Sequence, residues 1–325
     1  MTAFGYTLSS EEHSPKDLVA NAVRAENAGF DFASISDHFH PWIGEQGHSP
    51  FVWSVLGAIA ASTERIELGI GVSCPIVRVH PAVVAHAAAT TSLLFDGRFF
   101  LGVGTGEALN EHIVGRRWPT PEVRRQMLEE AIGIIRDLFT GSTVDHRGAF
   151  YEVENARLFD PPSTTVPIVV SGFGPEAAAL AGRIGDGFWG NAPDSKLLDA
   201  FESAGGDGPR YAQLNLCWAA DAGEARETAH RIWPTAGMPG QLSQDLPTWT
   251  HFEEVAGIVS EEEATKSTPC GPDITAELLE SVGKYIDAGY DHLYFHQIGP
   301  DQDGFFRFWE REFQPALSSA VSTAA

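Results

Sequence analysis

Cysteine is scarce: Cys74, Cys217 and Cys270 are the only three in 325 residues, far apart and without a C-x-x-C pair. That spacing argues against a zinc or iron–sulfur centre and against a disulfide framework. Lysine is nearly as rare, with Lys16, Lys196, Lys266 and Lys284 standing beside seventeen arginines. No apolar run approaches ~20 residues, and the first residues carry neither the basic nor the apolar stretch of a secretion signal. A membrane span is therefore not expected, and a cytoplasmic location is. Positive charge is short overall, 21 basic residues against 44 acidic ones for a formal charge of -23. Like-charge repulsion makes nucleic acids and anionic membranes poor partners. The same excess predicts stability that rises with salt; a melting temperature unchanged between low and molar salt would contradict it.

What is present is a 43% hydrophobic chain, long enough to bury a large core. Short apolar runs at 4–8, 32–35, 66–72, 98–103, 166–170, 187–189, 211–219 and 292–296 read as buried strands. Helical spacing fills the gaps between them, most strongly over 124–139, with further helices expected over 274–288 and, last, 305–313. Ser14-Pro15 opens the first helix and Gly29 closes it. Eight strand–helix alternations point to an α/β fold, a (β/α)8 TIM barrel, rather than to a doubly wound sheet. The chain is expected to form one domain over 1–325, with insertions near 143–160 and 234–272. The second of these is too broken by Pro and Gly to assign.

Two loops concentrate the chemistry. Ser36-Asp37-His38-Phe39-His40-Pro41-Trp42 follows the second strand, and Gly104-Thr105-Gly106-Glu107-Ala108-Leu109-Asn110-Glu111 follows the fourth. In a TIM barrel the ends of distant strands converge on one mouth, so the two loops should share a pocket. A bland reading, with a capping Asp, a core Trp and solvated histidines, fits each residue singly but not their density. His38 and His40 on an extended segment point to opposite sides, a poor arrangement for one metal ion, and no HExxH helix exists. No GxSxG elbow supports a serine hydrolase. Gly102-Val103-Gly104-Thr105-Gly106 lacks the third spaced glycine of a dinucleotide fingerprint. Gly71 sits where a strand should be stiff, which marks a bulge or a close approach to a ligand. Ser171-Gly172-Phe173-Gly174-Pro175 opens a helix suited to cradling a phosphate.

Together the two loops resemble the deazaflavin-dependent glucose-6-phosphate dehydrogenase family of the bacterial luciferase-like superfamily, over nearly the whole chain and most densely before Trp189. The resemblance implies a TIM barrel, a homodimer, coenzyme F420 and hydride transfer from a CH–OH group. Residue by residue, it makes His38 and Glu107 the proton-handling pair and sets Trp42 against the transition state. It places Asp37, Gly71, Val72, Cys74, Thr105, Gly106, Asn110, Phe173, Gly174, Glu176 and Ala177 at cofactor contacts, with Gly71-Val72 matching a bulge with a non-proline cis peptide. His38 is assigned to the substrate hydroxyl and Glu107 to the ring side.

The substrate positions depart from the family pattern. Asn191 and Asp194 stand where the sugar-phosphate enzymes carry a threonine and a lysine, although Lys196 is near. Gln241 or Leu242 replaces a second lysine, and Lys266 stands in for an arginine. A dianionic phosphate would be poorly held there. The reading is an F420-dependent dehydrogenase acting on an alcohol or sugar hydroxyl. Its alternatives are glucose-6-phosphate oxidation proper with Lys196 and Lys266 on the phosphate, an FMN-dependent luciferase-like monooxygenase, and an idle cofactor carrier.

Overall fold

In the computed structural model, which describes residues 2–238 and 241–324, eight parallel strands close into a barrel. The strands are β1 (Ala3–Leu8), β2 (Phe32–Ile35), β3 (Glu67–Ile70), β4 (Phe99–Val103), β7 (Ile168–Ser171), β8 (Gly187–Gly190), β9 (Arg210–Leu216) and β10 (His292–Gln297), in that order round the barrel. β1 pairs with both β2 and β10 to close it. The first insertion is the antiparallel hairpin of β5 (Val144–Arg147) and β6 (Glu152–Ala156). The second resolves into short helices at Leu242–Asp245, Trp249–Ala256 and Glu261–Thr265 beside the rim.

The two-residue period of each strand sorts its side chains. Ala33 and Ile35 of β2, Ala212 and Leu214 of β9, and Leu293 and Phe295 of β10 face outward and pack in the core shared with the helices. Phe32, Phe100, Val169, Trp189, Tyr211 and Tyr294 face inward and form a separate cluster that plugs the barrel. Ser34, Gln213, Asn215 and His296 share the inner faces of those strands and line the cavity above the plug. A greasy floor and a polar chamber thus come from one alternation.

Among the boundaries that differ from the sequence reading are three with a clear local cause or consequence. β3 ends at Ile70 rather than at 72, and the Gly71–Val72 peptide that follows it is cis. β9 ends at Leu216, not 219, because the amide of Cys217 turns to the carbonyl of Pro269 at 2.9 Å. The last helix starts earlier, at Gln302, where Asp301 accepts from the amide of Gly304, and runs on past 313 to Ala324.

Candidate active site

Both loops singled out in the sequence open into one cavity of about 860 Å³ at the C-terminal mouth of the barrel, where His38, Trp42, Thr105, Gly106 and Glu107 all line it. This is where the fold collects chemistry from distant strands. A smaller hollow of about 490 Å³, bounded by Arg78, His80, Arg116 and Tyr151, contains neither His38 nor Glu107.

His38 is held from three sides. Its Nδ1 lies 3.1 Å from Oε1 of buried Glu11, close enough for an ion pair but not aligned as a hydrogen bond. Its carbonyl accepts from Ser49 Oγ at 2.8 Å, and the Trp42 indole meets the imidazole edge-on at 5.0 Å. Glu11 itself accepts from Ser36 Oγ at 2.7 Å and Ser9 Oγ at 3.1 Å. Nε2 has no protein partner among the described residues, which leaves that nitrogen for a ligand.

Beneath the chamber a buried clamp joins the loops. Arg78 donates to Asp37 Oδ1 at 2.9 Å and to Glu111 Oε1 at 3.3 Å, while its amide donates to Glu111 Oε2 at 2.6 Å. Ser73 Oγ donates to the other oxygen of Asp37 at 2.6 Å. Burial pushes Glu111 up to about 7 against the pull of Arg78, and burial works against the charge of Arg78, yet Asp37 and Glu111 hold that guanidinium above its usual range. Asn110 stitches the loops again, its Oδ1 accepting from the amides of Phe39 at 2.9 Å and His40 at 3.1 Å. Changing Arg78 to Met would strand two buried carboxylates. The variant should lose about 3–5 kcal/mol of unfolding free energy in urea titrations, and a loss under about 1 kcal/mol would refute the clamp.

A second carboxylate–imidazole pair, absent from the sequence reading, flanks the same cavity. Glu12 Oε1 lies 2.6 Å from His296 Nε2, Glu12 also accepts from Trp233 Nε1, and its Oε2 accepts from the Gly299 amide at 2.7 Å. Trp233 meets His296 edge-on at 4.8 Å, as Trp42 meets His38. The run Ser9-Ser10-Glu11-Glu12-His13 was the available signal: a third polar loop directly after a strand.

Residues 1–281 match the family model described as luciferase-like monooxygenase. The chain belongs to this luciferase-like family. It is 36% identical to the F420-dependent glucose-6-phosphate dehydrogenase of Microbacterium testaceum, covering 97% of each chain. It is 36% identical to the enzyme of the same name from Amycolatopsis mediterranei, over 98% of this chain and 99% of that one. Among solved structures, it is similar to an F420-dependent secondary alcohol dehydrogenase in complex with an F420-acetone adduct, with TM-score 0.87 and 29% identity over 97% and 99% of the two chains.

In this luciferase-like chain the expected cofactor positions divide into two sets. Gly71, Val72, Thr105, Gly106, Phe173 and Ala177 line the cavity. Asp37 and Asn110 lie buried behind it, and Cys74 sits directly under Gly106, where a Cβ would strike its sulfur. Burial raises the Cys74 thiol well above its usual range, so it stays a neutral thiol. Glu176 turns away to pair with Arg125. At the substrate positions Asn191 and Lys266 line the cavity. Lys196 is not among the lining residues; it lies exposed in the first turn of the helix Ser195–Ser203. Asp194 is spent as the cap of that helix, accepting from the Lys196 amide at 3.0 Å.

Proposed function

We propose that the protein is a coenzyme F420-dependent oxidoreductase that removes a hydride from the CH–OH carbon of an alcohol or sugar. The observation that carries this is the convergence of His38, backed by Glu11 and Trp42, with Glu107 on one cavity. The residues present fit the cofactor. Asn110 Nδ2 is a buried donor without a protein partner, and side chains at Gly71 or Gly106 would collide with the walls behind them. At Gly174, the N-cap of the helix Pro175–Ile184, no side chain caps the first turn, which leaves its backbone amides for an anionic group.

When bound, F420 supplies the hydride acceptor, a carbon of its deazaflavin ring. His38 Nε2 takes the proton of the substrate hydroxyl, and Glu11 stabilises the imidazolium that forms. Trp42 walls the reacting carbon from water and keeps the imidazole in place. Glu107, on the ring side, would carry at its carboxyl oxygen the proton that the reduced ring takes up, so that one proton passes from the substrate hydroxyl to His38 and a separate one is supplied by Glu107. Anaerobic mixing of the protein and oxidised F420 with a panel of alcohols, sugars and sugar phosphates tests the reading. Substrate-dependent bleaching of the cofactor is expected, and its absence across the panel would leave only a carrier.

Glucose-6-phosphate oxidation proper is the second reading, favoured by Lys266 on the cavity wall. It is weakened by the other lining lysine, Lys284, which is tied to Glu280 at 2.8 Å.

We further propose one domain over 1–325, a homodimer and a cytoplasmic location. The helices Val52–Ala60 and Pro81–Leu94 adjoin, contain no charged residue, and leave Val83 58% and Leu94 52% exposed in a chain of charge -23. Such a face suits a second copy of itself. The cytoplasmic proposal rests on the three free cysteines.

A further inference from the structure

We propose that Gln213 and Asn215 form a hydroxyl-reading subsite in the wall of the cavity, and that the substrate is therefore an uncharged sugar or polyol with hydroxyls beside the one oxidised. The inference rests on the dehydrogenase reading above and narrows its substrate class. Its root is Glu12. Burial works to raise that carboxyl, but His296 beside it and the Gly299 amide outweigh burial and keep it below the usual carboxylate range. An ionised carboxylate only accepts, so His296 Nε2 must donate to it.

The polarity then propagates along the wall. In neutral His296, Nδ1 carries the lone pair and accepts from Gln213 Nε2 at 3.3 Å; in the imidazolium it donates to Asn215 Oδ1, also at 3.3 Å. Gln213 Nε2 donates to Asn215 Oδ1 at 2.7 Å. Turning both amides over exchanges the two partners' roles but not the outcome: in either orientation the NH2 of one amide is spent on the oxygen of the other, and one amide donor and one amide acceptor remain. Asn215 Nδ2 and Gln213 Oε1 are what remains, one donor and one acceptor, neither with a partner among the described residues and both on cavity-lining side chains. Lying two apart on β9, they project from the same face.

Two neighbours extend this neutral surface. Thr7, on β1 across β10, lines the cavity with a buried hydroxyl that has no partner, and Ser9 follows it on the same wall. Among the described residues no lysine or arginine stands on this stretch of wall, the lining lysines being Lys266 and Lys284, both exposed, and His296 is committed to Glu12 and the two amides. A hydroxyl donates and accepts at once, which matches an amide donor beside an amide acceptor. A phosphate only accepts and would meet the Gln213 carbonyl without a counterion. A simple secondary alcohol would leave these groups unpaired when water is excluded.

The test compares kcat/KM of the full-length protein, saturated with F420, for glucose, glycerol, 2-propanol and glucose 6-phosphate. The best uncharged polyhydroxylated substrate is expected to exceed both 2-propanol and the phosphate ester. Asn215→Leu and Gln213→Leu should lower its preference over 2-propanol at least ~10-fold, mostly through KM. Asn215→Asp, which keeps the shape but replaces the donor with an acceptor, should do the same and guards against a variant that fails to fold. A preference for 2-propanol or glucose 6-phosphate, or variants that lower every substrate equally, would overturn the subsite while leaving the dehydrogenase reading intact. No bleaching with any of the four, or with the wider panel, would overturn that reading itself.

Discussion

Replacing His38 by alanine is expected to lower turnover at least ~10²-fold with F420 affinity within a few-fold of wild type. Among the described residues on the cavity, the imidazole is the one group with a ring nitrogen free for a substrate hydroxyl and a carboxylate, Glu11, 3.1 Å behind its other nitrogen. Without it the hydroxyl whose carbon gives up hydride has no acceptor for its proton but water, and Trp42, backed by buried Phe252 in edge contact at 5.1 Å, walls that side of the chamber. Cofactor binding should survive, because the Asp37–Arg78–Glu111 clamp and the Asn110 bonds to the loop backbone do not involve the His38 side chain. Steady-state rates with fluorescence titration of F420 check both halves. Near-native turnover in the alanine variant would remove the role from His38.

Changing Glu107 to glutamine should also cost at least ~10²-fold in turnover. The substitution keeps size and hydrogen-bonding reach but can neither give nor take a proton near neutral pH. Glu107 is the residue preceding the short helix Ala108–Glu111, whose remaining carboxylate, Glu111, is committed to Arg78. No second carboxyl of that loop can substitute. The loss should fall on kcat more than on KM, since a proton held for the reaction matters in the transition state and little in the bound ground state. A variant with unchanged kcat and raised KM would make Glu107 a binding residue instead.

Much of this was legible from residues close together in sequence. The β2 and β4 loops each pack several chemical groups into eight residues or fewer, and strand alternation marked them as post-strand loops on one barrel mouth. The hairpin was legible through its period-two pattern and Gly148. Glu12 and His296 were not: 284 positions separate them, and neither neighbourhood hints at the other. Glu11 was hidden for another reason, since Ser9-Ser10-Glu11-Glu12-His13 reads as the approach to the Ser14-Pro15 helix start. Only β1 pairing with both β2 and β10 brings that run between His38 and His296. The direction of Lys196 was not legible from its nearness to Asn191, because Asp194 turns the chain into a helix between them.

The most direct test of the account is a crystal structure of the protein with oxidised F420. The deazaflavin ring is predicted to lie in the large cavity against Gly71–Val72, with the His38 imidazole and the Glu107 carboxyl both within reach of its substrate-facing side. A ring bound instead in the hollow beside Arg116 and Tyr151, or one that His38 and Glu107 do not both approach, would contradict it.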